Sequence, residues 1–245
     1  MAVYNEEAGD KAVQWIEKYC THVKGELGGK PFILEDWQKD DIIRPLFGTL
    51  RDDGLRQYRQ AYIEVPRKNG KSNLCAAIAL YMLFADGEPG AEIISAAGDR
   101  NQARIVFEIA SAMCANNSKL HGHGKVLRNS IHYKNSFYKA ISAEANTKHG
   151  FNAHAVILDE LHVFPNRDLY DVLKTSTGAR TQPLVIAITT AGHDTSSICY
   201  ELHEYAQKVK EGSVEDDTFL PVIYSADKDD DWTVPATWAK ANPGF

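Results

Sequence analysis

A short polar stretch in the first third of the chain has the residue types that hold a triphosphate. Pro66-Arg-Lys-Asn-Gly-Lys-Ser72 lies between an alternating apolar run and a segment rich in Ala and Leu. This order predicts a strand, a tight turn and a helix that begins near Ser72. The backbone N–H groups of such a turn point at one spot, Lys71 adds a positive charge, and the Ser72 hydroxyl can ligate Mg²⁺. The stretch therefore predicts a cradle for ATP with Mg²⁺.

The stretch departs from the usual phosphate-loop pattern, Gly-x-x-x-x-Gly-Lys-Ser/Thr. Val65 stands where the first Gly is expected. Asn69 and Gly70 still tolerate the positive φ that such a turn needs. The alternative interpretation is a basic surface turn, because short patterns also match by accident.

A second motif, Ala155-Val-Ile-Leu-Asp-Glu160, ends in two adjacent carboxylates. Its four apolar residues predict a strand buried on both faces of a parallel sheet. Adjacent strand residues point to opposite sides, so Asp159 and Glu160 must play different roles. We assign Asp159 to the Mg²⁺ shell and Glu160 to polarising the attacking water. Both motifs fall at strand ends, the edge at which open α/β sheets bind ligands.

Two further stretches fit the same site. Leu184–Ile188 predicts a buried strand that ends in Thr189-Thr-Ala-Gly192, small residues that can sense the γ-phosphate and transmit its loss. Gln38, beside Trp37, can read an adenine edge through its side-chain amide, with Trp37 as a packing platform. An ordinary surface Gln on an amphipathic helix is the alternative for Gln38.

Positively charged residues cluster between residues 100 and 148. Arg100 and Arg104 lie four apart at the start of a predicted helix whose N-cap is Asp99, a position from which they can hold a nucleic-acid backbone. Solvated arginines are the alternative. The short predicted strands of residues 125–148 add further bases and interleaved aromatic residues, which is typical of nucleic-acid surfaces. The bases of this second segment are Lys125, Arg128, Lys134, Lys139 and Lys148.

The remaining pattern indicates an α/β protein with helices on both sides of a mainly parallel sheet. Helices are predicted at residues 8–23, 34–43, 72–83, 99–114, 168–177 and 201–210, and strands at 62–65, 91–97, 126–127, 131–133, 137–141, 155–159, 184–188 and 219–224. The pair His121 and His123 lacks a third metal ligand nearby, so we predict a flexible loop there.

Composition excludes several classes of protein. With 245 residues and 44% hydrophobic content, the chain can bury the core of a large domain, and no apolar run is long enough to span a bilayer. The N-terminus has no signal-peptide pattern, so we expect a soluble protein that is not secreted. Four scattered cysteines predict buried reduced thiols. The net charge of −6 is concentrated in residues 211–231, which carry eight acids and one base and predict a solvated surface segment.

Together these motifs give the chain a resemblance to the large terminase subunit of tailed bacteriophages, the ATPase motor that packages DNA into procapsids. The resemblance covers most of residues 31–245, and the family tolerates the Val65 departure. It implies a P-loop NTPase fold of the ASCE, RecA-like type. It identifies Trp37-Gln38 as the adenine motif, Pro66, Arg67, Lys68, Asn69, Gly70, Lys71 and Ser72 as a deviant Walker A, residues 156–160 as Walker B, and Thr189, Thr190, Ala191 and Gly192 as the coupling motif.

The resemblance also implies a domain organisation. We expect a helical lid with the adenine motif in residues 1–59, the P-loop core in 60–225 and an acidic linker in 226–245. The nuclease domain of the family follows this region, so we expect the ATPase half without DNA cleavage. The implied partners are double-stranded DNA, the portal protein, the small terminase subunit and other copies in a ring on the portal. The implied location is the host cytoplasm, without membrane contact.

Hydrolysis needs further positive charge on the γ-phosphate in the transition state, and its source stays open. Arg67 could act in cis, whereas Arg180 or Lys148 could reach a neighbour's site in trans. A helicase of superfamily 2 is an alternative enzyme, because Asp159-Glu-Leu-His162 fits its Asp-Glu-x-His pattern, but a second partner domain is missing. A nucleotide-gated scaffold that docks on the portal without hydrolysis is the other alternative, and Glu160 argues against it.

Overall fold

A central sheet of mainly parallel strands organises the fold. The computed structural model describes residues 2–143, 150–227 and 229–244. In these ranges the large sheet has eight strands in the order β10-β3-β9-β8-β4-β7-β6-β5, and neighbours from β10 to β7 run parallel. β5, β6 and β7 pair antiparallel. The α/β class predicted from the sequence is confirmed.

The elements follow the predicted order, with shifts of a few residues at their ends. The strands are β1 (Val3–Tyr4), β2 (Thr49–Leu50), β3 (Gln60–Glu64), β4 (Glu92–Ala97), β5 (Lys125–Val126), β6 (Ser130–Tyr133), β7 (Ser136–Ser142), β8 (Ala153–Asp159), β9 (Leu184–Thr189) and β10 (Phe219–Ile223). The α-helices are α1 (Glu6–Tyr19), α2 (Asp36–Gln38), α3 (Arg44–Gly48), α4 (Lys71–Phe84), α5 (Arg100–Asn116), α6 (Ser118–His123), α7 (Asp168–Thr175), α8 (Ile198–Lys210) and α9 (Pro235–Ala241).

Each face of the sheet has its own hydrophobic core, because alternate strand residues point to opposite faces. On one face Ile63, Ile157 and Ile188 pack with α1, α3, α4 and α5. On the other face Tyr62 and Leu158 pack with α7 and α8. α4 is buried along almost its whole length, which explains its apolar sequence on all sides. Among the described residues no helix is both long and apolar enough to cross a membrane.

The N-terminal part packs directly on the helix that follows the phosphate loop. Trp15 of α1 and Phe47 of α3 both contact Tyr81 of α4 edge-on, with ring centroids 5.6 and 4.7 Å apart. The buried residues of α1, α3 and α4 belong to one cluster. The boundary of the expected lid at residue 59 stays a prediction, and this shared core connects residues 1–59 firmly to α4.

One local prediction was wrong, and another needs new bounds. The helix predicted to open over residues 34–43 begins at Asp36, passes through a π-helical turn (Lys39–Ile43) and continues as α3, which has Pro45 in its first turn. His121 and His123 do not lie in a flexible loop but at the end of α6. The side chain of Asn117 caps that helix by accepting from the backbone N–H groups of Lys119 and Leu120, a local signal that outweighs the helix-breaking tendency of Gly122.

The amino ends of the parallel strands are held together by buried ionic groups. Asp86, just after α4, pairs with Arg56 and lies 2.6 Å from His154 Nε2, and all three side chains are 5% exposed or less. Burial alone raises the pKa of Asp86, but the hydrogen bond to His154 and the charge of Arg56 outweigh it and hold this pKa below its usual value. The folded state therefore favours the ionised carboxylate.

We predict that Asp86→Asn lowers the free energy of unfolding by about 3 to 5 kcal/mol, because it leaves Arg56 buried without its counter-charge. The folded pKa of Asp86 is depressed, so its contribution is present above the unfolded pKa of about 3.9 and is lost as the pH falls below it. Urea denaturation at several pH values measures both effects.

The matched control is Asp53→Asn, since Asp53 pairs with Arg51 at the surface, where both side chains are at least 36% exposed. Asp53→Asn should lower the free energy of unfolding much less, because solvent screens an exposed ion pair. Equal losses for the two variants would show that the buried group adds nothing special to stability.

Candidate active site

The phosphate loop joins β3 to α4 through a turn with two residues at positive φ. Lys68 has φ 70° and Gly70 has φ 69°, and Gly70 is also the N-cap of α4. Of the two residues expected to tolerate a positive φ, Gly70 adopts it and Asn69 does not, and Lys68 is the second residue of the turn that does. Asn69 has a different task, because its side-chain amide donates to the Pro66 carbonyl at 3.1 Å and ties the two ends of the turn together. A turn therefore forms although Val65 replaces the first Gly.

Lys71 points back into this loop from the first turn of α4. Its Nζ donates to the carbonyl oxygens of Val65 and Pro66 at 3.3 and 3.2 Å and lies 3.7 Å from Glu160 Oε1. Only 5% of its side chain is exposed. The structure therefore brings the two main motifs together and aims a buried ammonium group into the space that the loop encloses.

Asp159 is the last residue of β8 and is almost completely buried. Burial first, and then the charge of Glu160, raises the pKa of Asp159 to about 7, although Lys71 lowers it. The Oδ1 atom of Asp159 is buried and has no hydrogen-bond partner. Asp159 and Glu160 also act electrostatically on Cys75, one turn beyond Ser72 in α4. An unsatisfied carboxylate beside the start of α4 is an arrangement that a divalent cation can complete.

Strand β8 ends at Asp159, so Glu160 does not continue it, contrary to the expectation from the sequence. Glu160 has φ 50° and ψ 52°, the left-handed region, and a single 3₁₀ turn (Leu161–Val163) follows it. This conformation is uncommon for a residue with a side chain and turns the Glu160 carboxylate toward Lys71. The two carboxylates do have different surroundings, because Asp159 is buried whereas the Glu160 side chain is 24% exposed.

The 3₁₀ turn places His162 between Glu160 and the end of β9. His162 Nδ1 lies 3.2 Å from Glu160 Oε2, 3.0 Å from Thr189 Oγ1 and 3.4 Å from Thr190 Oγ1. The backbone N–H of His162 also donates to Thr189 Oγ1 at 3.2 Å. Burial lowers the pKa of His162 and outweighs the opposing charge of Glu160, so the ring is neutral at neutral pH.

The predicted coupling motif packs against this histidine over most of its length. A Cβ atom added to Gly192 would lie 3.2 Å from His162 Cβ, which explains why the motif has glycine there. The sequence analysis noted His162 only as part of a helicase-like pattern. Its contacts could not be read from spacing alone, since they depend on the left-handed turn at Glu160.

The predicted adenine motif lies beside the loop, but its side chains are engaged in local structure. Gln38 is 2% exposed and its Oε1 accepts from the backbone N–H of Glu35 at 3.1 Å, while Nε2 lies 3.7 Å from the position of a Cβ on Gly70. Trp37 is buried and contacts Tyr224 edge-on at 5.6 Å. Adenine recognition by Gln38 stays a prediction, and Trp37 is a packing residue of this wall.

Residues near the C-terminus complete the outer wall of the loop. The side chain of Asn69 donates to Asn242 Oδ1 at 2.7 Å and accepts from the backbone N–H of Gly244 at 3.1 Å. Lys240 of α9 forms ion pairs with Asp227 and Asp230. The segment expected to be an acidic linker therefore contains a helix and contacts the phosphate loop, a connection that nothing in its local sequence indicates.

A cavity of about 490 Å³ adjoins the loop on the β9 and β10 side. It is lined by Glu64, Val65, Pro66, Arg67, His162, Thr190, Ala191, His193, Tyr224, Ser225 and Ala241. A larger groove of about 670 Å³ lies between α7 and α8 and contains none of the predicted site residues. The cavity beside the loop is therefore lined by four predicted site residues, Pro66, Arg67, Thr190 and Ala191, and the larger groove by none.

Comparison with known proteins identifies the family. Residues 36–208 match the family model for the terminase large subunit, ATPase domain. The chain belongs to this family. It is 32% identical to the terminase large subunit of Enterobacteria phage HK97 over 97% of this chain and 46% of that protein. It is also 40% identical to protein YmfN of Escherichia coli K12, over 39% of this chain and 21% of YmfN.

A solved structure agrees with this assignment. The crystal structure of the HK97 large terminase superposes with a TM-score of 0.82 at 29% identity, over 97% of this chain and 48% of that one. The chain thus spans about half the length of the HK97 subunit. The chain is therefore an ATPase domain of the terminase large subunit family.

The residues predicted as arginine fingers differ in their exposure and in their contacts. Arg67 is exposed and lines the cavity beside the loop. Arg180 lies at the amino ends of the strands, where it pairs with Glu88 at 3.0 Å and donates to the carbonyl oxygens of Asn152 and Gly90. These contacts give Arg180 a structural role. Lys148 lies outside the described residues.

The predicted DNA-contacting arginines lie on the same edge of the sheet as the phosphate loop. Arg100 is exposed and begins α5, directly after the carboxyl end of β4. Arg128 is exposed in the turn between β5 and β6, which the strand register places near the carboxyl end of β7. Arg104 is also exposed but forms an ion pair with Glu108 at 2.6 Å, which reduces its free charge.

We predict that Gly70→Ala and Gly212→Ala each cost about 1 to 2 kcal/mol in stability, because both positions need a left-handed backbone. Gly212 is the matched control, since it has φ 76°, open space for a Cβ and a position remote from the loop. Only Gly70→Ala should weaken nucleotide binding, because it alters the turn that directs the backbone N–H groups. Urea denaturation and titration with a fluorescent ATP analogue measure the two quantities. Equal nucleotide affinity for both variants would contradict the assignment of the loop.

Proposed function

We propose that this ATPase domain hydrolyses ATP at the carboxyl edge of the sheet, with the triphosphate held by residues 66–72. The observation that supports this most directly is the meeting of the two motifs, with Lys71 Nζ 3.7 Å from Glu160 Oε1 and the buried Asp159 beside them. Lys71 exchanges its loop carbonyl partners for the β- and γ-phosphates, and the backbone N–H groups at the start of α4 bind phosphate oxygens. Gln38 is proposed to read the adenine edge.

The residues present fit a Mg²⁺ ion. Asp159 offers an unpartnered buried oxygen, and Ser72 offers a hydroxyl at the start of α4. The described residues contain no group of three or more His, Cys, Asp or Glu that would hold a metal ion by themselves. This suits Mg²⁺, which is usually bound through one or two protein oxygens together with phosphates and water. When bound, Mg²⁺ neutralises charge on the phosphates.

Glu160 is proposed as the residue that orients and polarises the attacking water. Its carboxylate is partly exposed and lies 3.7 Å from Lys71 Nζ, whereas that of Asp159 is buried. Arg67 is proposed to stabilise the negative charge that develops on the γ-phosphate, because it lies in the loop and lines the cavity. Thr189, Thr190, Ala191 and Gly192 are proposed to sense the state of the site.

The wider role follows from family membership. We propose that the domain drives translocation of double-stranded DNA into a procapsid, as one member of a ring on the portal protein and together with a small terminase subunit. Such a protein works in the host cytoplasm. The exposed arginines on the loop edge support a DNA contact there.

We predict that Lys71→Ala abolishes hydrolysis, because it removes the positive charge that contacts the β- and γ-phosphates. Glu160→Gln should retain ATP binding, and its turnover rate should fall by about 100-fold or more. Arg67→Ala should lower turnover with little effect on binding if the arginine acts in cis. Single-turnover hydrolysis of radiolabelled ATP with excess protein, and binding of a fluorescent analogue, measure these effects.

Arg180→Ala serves as the comparison. Because the contacts of Arg180 lie at the amino ends of the strands, this variant should be less stable than the parent but should retain the parental turnover rate while it is folded. A Glu160→Gln protein that hydrolyses ATP at the parental rate would show that Glu160 is not the base.

We predict that a triple variant with Arg100→Glu, Arg104→Glu and Arg128→Glu binds duplex DNA more weakly. The slope of log affinity against log salt concentration should become less steep by about 2 to 3. The binding should not depend on sequence, because phosphate contacts carry no sequence information. Fluorescence anisotropy with two unrelated duplexes measures it.

A triple reversal at Lys11, Lys174 and Lys208 changes the net charge equally on other elements and is the control. If both triple variants lose the same affinity, the arginines form no specific DNA face.

A further inference from the structure

The contacts of His162 connect the proposed base to the coupling motif. The ring sits between the Glu160 carboxylate and the hydroxyl groups of Thr189 and Thr190, all within 3.4 Å of Nδ1. Cys199 also lies near both groups, since its Sγ is 3.8 Å from Thr189 Oγ1 and Glu160 acts on it electrostatically, but His162 makes the shorter contacts. The ring of His162 is therefore a direct link between the two motifs.

The hydrogen bonds of Thr189 indicate which ring nitrogen of His162 carries the hydrogen. The Thr189 hydroxyl donates to the Thr190 carbonyl oxygen at 2.8 Å, which uses its single hydrogen. Its oxygen is therefore an acceptor toward His162 Nδ1 at 3.0 Å, so Nδ1 carries the hydrogen. Nδ1 also lies 3.2 Å from Glu160 Oε2, although its hydrogen bonds are to the threonine hydroxyls. The same ring nitrogen thus contacts the base and bonds to the coupling motif.

The surroundings leave the ring little freedom to leave this position. Thr189 is 0% exposed, and it also accepts from the backbone N–H of His162. A side chain at Gly192 would meet His162, and one at Gly98 would meet the Val163 carbonyl at 2.7 Å. The 3₁₀ turn is therefore held between the coupling motif on one side and the end of β4 on the other.

We propose that His162 is the positioning residue for Glu160, holding its carboxylate toward the γ-phosphate through the 3.2 Å contact between Nδ1 and Oε2 and transmitting displacement of Thr189 to it. The inference rests on the proposed function, since it requires Glu160 to be the base. In this scheme Oε2 contacts the ring of His162, and Oε1 faces Lys71. A shift of the coupling motif then moves the base and changes the rate.

The test compares His162→Ala with His162→Asn in single-turnover hydrolysis by the 245-residue chain. The Asn amide places an N–H near the position of Nδ1–H, whereas Ala removes the donor. We expect His162→Ala to lower the hydrolysis rate by about 10- to 100-fold, as expected for a displaced catalytic group, with ATP affinity within about twofold of the parent. His162→Asn should recover a large part of the rate. Melting temperatures verify that both variants are folded.

A second pair of variants tests the route through Thr189. Thr189→Val removes the hydroxyl with little change in shape, and Thr189→Ser retains it. If the hydroxyl acts by holding His162, Thr189→Val lowers the rate, Thr189→Ser does not, and the double variant His162→Ala with Thr189→Val is no slower than His162→Ala alone. Additive losses in the double variant would overturn the connection.

The outcomes separate this inference from the proposed function. If Glu160→Gln retains turnover, the assignment of the base fails whatever His162 does. If Glu160→Gln is inactive but His162→Ala hydrolyses ATP at the parental rate, the positioning role alone is overturned. Equal losses of rate in His162→Ala and His162→Asn, accompanied by weaker ATP binding, would also overturn it, because they would indicate a purely structural role.

Discussion

The burial of Asp159 next to Lys71 and Glu160 is the constraint on which the site depends. A buried carboxylate with an unpartnered oxygen is costly, and its pKa of about 7 reflects that cost. The charge of Lys71 offsets part of it, and a divalent cation would offset more. The parallel sheet makes this possible, since it delivers the ends of β3, β8 and β9 to one edge and supplies two hydrophobic cores that stabilise the whole.

The amino ends and the carboxyl ends of the parallel strands serve different purposes. At the amino ends, Arg56, Asp86 and His154 form buried ion pairs within the chain, and Arg180 pairs with Glu88 beside them. At the carboxyl ends, the phosphate loop and the turn at Glu160 use left-handed residues, and the buried Oδ1 atom of Asp159 has no partner. Unfavourable local geometry thus collects where a ligand can compensate for it.

Sequence reasoning was strongest where chemistry and periodicity coincide. Strand, turn and helix around Lys71, and the buried strand that ends at Asp159, follow from apolar spacing and from the demands of phosphate binding. The left-handed conformations of Lys68 and Glu160 could not be predicted, because residues with a side chain rarely adopt them and no local pattern marks these two. The same holds for the partners of His162, which lie 27 and 28 residues away along the chain.

The contacts of Asn69 with Asn242 and Gly244 have a consequence for the order in which the protein folds. They span 173 and 175 residues, so the outer wall of the phosphate loop is assembled from opposite ends of the domain. Helix α4 and its neighbouring strands can form early from closer segments, whereas this wall cannot close until the ribosome has released residue 244. During synthesis the phosphate loop is therefore made long before Asn242 and Gly244, the residues that cover it, are available.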